Sequence, residues 1–114
     1  MNIKAITLFI FSIFFVTFSY AEKVIPMSDK YYQGKYFLVS QTKHNNINTV
    51  IYKSVFKAET VYSKMEINCR TGKYRKIGEG INNPKAIEDF TNKGSWMTPV
   101  YEASHYDVVK FVCK

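Results

Sequence analysis

A chain of 114 residues, 46% hydrophobic and 17% aromatic, holds apolar material for one small core and leaves no room for a second. Sixteen basic residues against nine acidic ones give a formal charge of +7, which points toward acidic partners. Two cysteines without CxxC spacing and two histidines make no tetrahedral metal set, and there is no glycine-rich phosphate loop or haem-attachment motif, so no metal and no cofactor is expected.

Met1 to Ala21 has the form of a cleavable secretory signal. Lys4 gives a basic start, Ala5 to Phe18 is uncharged and largely apolar, and Ser19-Tyr20-Ala21 puts small residues where a signal peptidase inspects them. The apolar run of 14 residues is shorter than the roughly 20 a membrane span needs. The expected mature part, residues 22–114, is a single domain that starts at Glu22 and keeps a formal charge of +6 after the loss of Lys4. No cysteine near the cleavage site accepts a lipid, so a protein without a membrane anchor, periplasmic or secreted, is expected. Export also removes nucleic acid from the partners that the basic charge would otherwise suggest. In an oxidising compartment Cys69 and Cys113 are expected to pair. Closing a loop of about 45 residues contributes roughly 4 kcal/mol in the chain-entropy model.

Glu22 to Gln33 lacks a sustained period and reads as an arm. Tyr36-Phe37-Leu38-Val39 predicts a strand, His44 to Asn48 a turn, and Thr49 to Lys57 the returning strand of a hairpin. Thr60 to Cys69 gives the clearest strand: Val61, Met65, Ile67 and Cys69 share one parity, and Tyr62, Lys64, Glu66 and Asn68 the other. Arg70-Thr71-Gly72-Lys73 reads as a turn and Tyr74 to Glu79 as a fourth strand, its end loosened by Gly78 and Gly80. Asn83-Pro84 predicts the start of a short helix or ordered loop, with Glu88-Asp89 as solvated carboxylates within it. Ser104 to Asp107 has the Ser-x-x-acid form of a helix start, and Val108, Val109, Val112 and Cys113 then fall on one helical side. Valines suit a strand as well, so that alternative stays open. The fold class expected is α+β: an antiparallel sheet of about four to six strands, with one or two short helices packed on it and one disulfide.

No nucleophile with a base in register can be assembled, so a binding protein is expected and not an enzyme. His44, in an asparagine-rich loop, and His105, after the helix start, read as surface side chains. Tyrosine and lysine interleave at Lys30-Tyr31-Tyr32, at Lys35-Tyr36 and at Lys73-Tyr74-Arg75-Lys76. The candidate binding residues are Lys73, Tyr74, Arg75 and Lys76, with Arg75 suited to grip a carboxylate through two hydrogen bonds. Trp96 reads as a core plug over the sheet and not as a ligand platform.

Met65-Glu66-Ile67-Asn68-Cys69, then Tyr74-Arg75, then Trp96, Val100, Ser104 and the closing Val112-Cys113 resemble the surface-adhesin protein E family of small exported bacterial proteins. The likeness covers about 50 residues, Met65 to Cys113. It implies an antiparallel sheet with a helix against it, a disulfide joining the two cysteines and, in the name-giving members, binding to host extracellular-matrix proteins. The chain departs from the lipid-anchored adhesin in lacking an anchor cysteine. The expected partner is therefore a protein, from the host matrix or the bacterial envelope, with the oligomeric state open and a dimer included. The competing function is immunity to, or inhibition of, an exported toxin or wall hydrolase.

Overall fold

The computed structural model describes residues 22–29 and 34–114. Six strands follow one another in a single antiparallel meander: β1 Lys23–Ile25, β2 Lys35–His44, β3 Ile47–Val55, β4 Thr60–Asn68, β5 Lys73–Ile81 and β6 Glu88–Asp89. A 3-10 turn at Pro84–Ala86 precedes β6, and among the described residues one helix, α1, spans Ser104–Val112. This is the expected α+β class. Each strand pairs with its neighbour in sequence, so short turns suffice. Asn45, at φ 59°, carries the β2–β3 turn, a left-handed conformation that asparagine tolerates. Gly72, at φ 75°, carries the β4–β5 turn, where the Asn68 side chain accepts from the backbone of Arg70 and Thr71.

The core lies on one face of the sheet. Along β3 and β4 every second residue is buried, Asn48, Val50, Tyr52 and Ser54 on one strand and Ser63, Met65 and Ile67 on the next. Val108 and Val109 of α1 cover this face and share its core cluster with Ile25, Leu38 and Tyr74 of the neighbouring strands. The predicted helical side therefore points inward, with Val112 and Cys113 packed against the same cluster. Cys69 and Cys113 are bonded, their Cα atoms 5.4 Å apart, which fixes the end of α1 to the end of β4. Buried Asn48 accepts from Gln41 Nε2 at 2.8 Å and donates to Cys69 Sγ at 3.3 Å, so its amide is satisfied beside the disulfide.

Several expectations are corrected. The arm contains β1, a strand too short to show a period, and β2 runs on through polar Ser40 to His44, beyond the apolar stretch that announced it. Glu88 and Asp89 form a short edge strand, not part of a helix; only Pro84–Ala86 winds, with Asn83 accepting from Lys85 N–H. Gly80 does not loosen β5, which continues to Ile81; a Cβ there would stand 2.6 Å from the Ile87 nitrogen, so the glycine admits the returning chain. The Ser104 cap is not made: Ala103 is the N-cap without a side-chain bond, and Asp107 instead accepts from Ser28. The proposed signal, Met1 to Ala21, and Lys30-Tyr31-Tyr32 lie outside the described residues. Among the described residues no helix is long and apolar enough to cross a membrane.

Candidate functional site

Residues alternate across a strand, so the run from Lys73 to Lys76 divides between the two faces. Tyr74 and Lys76 point to the helix side, where Tyr74 is buried; Lys73 and Arg75 point away from it. Lys35 and Tyr36 divide likewise: Lys35 is exposed, whereas Tyr36 is buried and stacks on Tyr52 with ring centroids 6.2 Å apart. The four candidate residues therefore do not form one patch.

What α1 leaves uncovered is the opposite face, and cross-strand register arranges it. Phe37, Lys53 and Tyr62 lie in one row across β2, β3 and β4, and Thr49, Glu66 and Arg75 in another across β3, β4 and β5. Lys53 Nζ sits 5.3 Å over the Phe37 ring and pairs with Glu22 at 2.7 Å. Arg75 Nε donates to Glu66 Oε1 at 2.8 Å, and Lys93 Nζ reaches the other carboxylate oxygen at 3.2 Å. Burial pushes the Glu66 carboxyl up, yet the hydrogen bonds from Arg75 and Lys93 outweigh it, and the group titrates below the usual carboxylate range. The Arg75 guanidinium also lies 4.3 Å from the Trp96 ring centroid.

Trp96 reaches this place through backbone pairing. Tyr74 and Met97 exchange two hydrogen bonds, of 3.0 and 2.7 Å, along the free edge of β5. Gly94, at φ 79°, turns the chain toward that bridge, and its carbonyl accepts from Arg75 at 3.4 Å. Trp96 does lie over the sheet as read from the sequence, but half-buried on an arginine and not in the core. Lys64, also on this face, pairs with Asp89 at 3.1 Å, and exposed Lys73 completes the cationic set beyond Arg75. The arrangement presents flat aromatic area and fixed cations that can meet carboxylates on another protein.

The helix side holds a polar group that sequence reasoning missed. His105 is half-buried, its Nδ1 hydrogen-bonded to the Tyr74 hydroxyl at 3.0 Å and the two rings 4.8 Å apart. It is not the surface side chain expected. Burial and, next, the Lys76 ammonium push the imidazole below its ordinary range, so the neutral ring is favoured. Lys76 pairs with Glu79 on the same face, and burial raises the Tyr52 phenol well above its ordinary value. Only an unexplained histidine at the start of an amphipathic helix signalled this contact. His44 stands exposed at the end of β2, as read.

Comparison of the chain with family models, with curated proteins and with solved structures returns no match.

Proposed function

We propose that this chain is a non-enzymatic binding module, periplasmic or secreted after cleavage near Ala21, of the kind that its resemblance to the surface-adhesin protein E family implies. It engages a protein partner, from the host matrix or the bacterial envelope, through the helix-free face of the sheet. One observation carries this reading: the face that α1 leaves open bears cations held in place on aromatic rings, Arg75 on Trp96 and Lys53 on Phe37, beside exposed Lys73. A surface kept only for solubility has no need of such fixed geometry. Preorganised aromatic and guanidinium groups lose little side-chain entropy on contact, and the surrounding lysines speed encounter with acidic surfaces.

The test is capture by the immobilised mature protein from a panel of purified extracellular-matrix proteins and from an envelope extract, at low and high salt. Binding that weakens with salt and with Lys73→Glu supports the reading. Binding to nothing, or binding indifferent to both, overturns it. Recovery of an exported toxin or wall hydrolase, neutralised on binding, replaces adhesion with the immunity or inhibitor function for the same surface.

A further inference from the structure

The chain leaving β1 and the outer stripe of α1 enclose a cleft on the other side of the molecule. Its volume is about 320 Å³. Pro26 and Met27 form one wall and Phe111 the other. The walls are tied together across 79 residues of sequence: the Ser28 backbone N–H and the Ser28 hydroxyl each donate to Asp107 Oδ2 at 3.1 Å. Asp107 is itself buried, whereas Ser28 is exposed, so the clamp is sheltered on its acceptor side.

Asp107, Lys110 and Phe111 recur at three- and four-residue spacing and so share one stripe of the helix, and Lys114 follows two residues after the helix ends. Lys110 and Lys114 both line the cleft, with Lys114 Nζ 4.2 Å over the Phe111 ring. Neither lysine pairs with a carboxylate among the described residues. This differs from the open sheet face, where Lys53, Lys64, Arg75 and Lys93 all have acidic partners. An apolar slot lined by two lysines without carboxylate partners is complementary to a molecule with an apolar body and an anionic end.

We propose that this cleft binds a small amphipathic carboxylate, its acyl or aryl body between Met27 and Phe111 and its carboxylate between Lys110 and Lys114. The volume sits at the low end of the roughly 300 to 1,000 Å³ typical of small-molecule sites, enough for one short chain. Asp107 does not oppose this placement. Its Oδ2 is engaged by both Ser28 donors. An ammonium-headed ligand of the same shape would meet two lysines and is excluded by like charge.

Titration calorimetry of the full exported chain with sodium octanoate tests the proposal, with octylammonium and acetate as controls. Octanoate is expected to bind, and both controls to fail, the first for its charge and the second for lack of an apolar body. Lys110→Glu with Lys114→Glu is expected to weaken octanoate by about tenfold or more at an unchanged melting temperature, and Met27→Trp to abolish binding by filling the slot. Should the charge reversal disturb α1, Lys110→Gln with Lys114→Gln removes the cations without adding acids and must still weaken binding. Absence of octanoate binding, equal binding of octylammonium, or affinity untouched by the lysine variants overturns the proposal.

Discussion

The two faces of one sheet are built from the same strands and differ in almost every physical respect. On the helix side Val50, Met65, Ile67 and Val108 have no exposure at all, and a disulfide fastens the covering element. On the other side no helix packs among the described residues, and the rows hold Phe37, Lys53 and Tyr62, and Thr49, Glu66 and Arg75. The period of two along β3 and β4 writes both at once, because each apolar residue sent inward sends its neighbour out. Stability is concentrated on one face, which leaves the other free to vary its chemistry at small cost to the fold.

That division predicts a graded series of losses. The largest follows removal of the tether: reduction, or Cys69→Ser with Cys113→Ser, is expected to lower stability by about 4 kcal/mol in denaturant unfolding. A change well under 1 kcal/mol would mean that α1 holds without its bond. Next comes Met65→Ala, a fully buried side chain on the helix side, expected to cost about 2 to 5 kcal/mol through lost burial and an unfilled cavity. The preceding residue on the same strand, of the other parity, supplies the matched control: Lys64→Ala is expected to cost less than about 1 kcal/mol. Comparable losses at the two positions would erase the distinction between the faces.

Arg75→Ala is expected to have an intermediate effect for an outer-face change, about 1 kcal/mol, because the Glu66 side chain is only 14% exposed and the Trp96 ring loses its cation as well. The Glu66 carboxyl is held below its ordinary value near 4.5, so its share of stability is present above that pH and is lost as pH falls through the lowered value. The gap between wild type and Arg75→Ala should accordingly close on acidification. A gap that widens in acid would contradict the pairing.

The smallest expected effect is acid sensitivity at His105. Its folded titration lies below the ordinary 6.5, so neutral His105 adds stability above that pH, and the contribution declines as pH falls from there through the folded value. His105→Gln, which can still bond the Tyr74 hydroxyl, should flatten the melting temperature across that window. An unchanged slope would place the titrating group elsewhere.

How far these features could be read in advance depends on the range of the interactions behind them. The strand Thr60 to Cys69 was legible because parity is a local property, and the disulfide because two cysteines admit one pairing. The division of Lys73 and Arg75 from Tyr74 and Lys76 follows from the same parity. The position of Trp96 was not legible on these terms: it depends on a bridge between Tyr74 and Met97, made by a segment without period. The contact of His105 with Tyr74 spans 31 residues, and the clamp of Asp107 by Ser28 spans 79. Both arise only when α1 docks; the Ser-x-x-acid pattern did mark the start of α1, but Asp107 is engaged by Ser28 and not by a helix cap.

The most direct test of the separation between faces compares Lys73→Glu with Lys76→Glu in one partner-binding assay and one thermal melt. Lys73 is exposed beside the Arg75 face, whereas Lys76 pairs with Glu79 on the helix side near His105. Lys73→Glu is expected to reduce partner affinity by about tenfold at an unchanged melting temperature. Lys76→Glu is expected to lower the melting temperature through carboxylate repulsion with Glu79 while leaving affinity intact. The reverse pattern, with affinity following Lys76 and stability following Lys73, would contradict the assignment of recognition to the helix-free face.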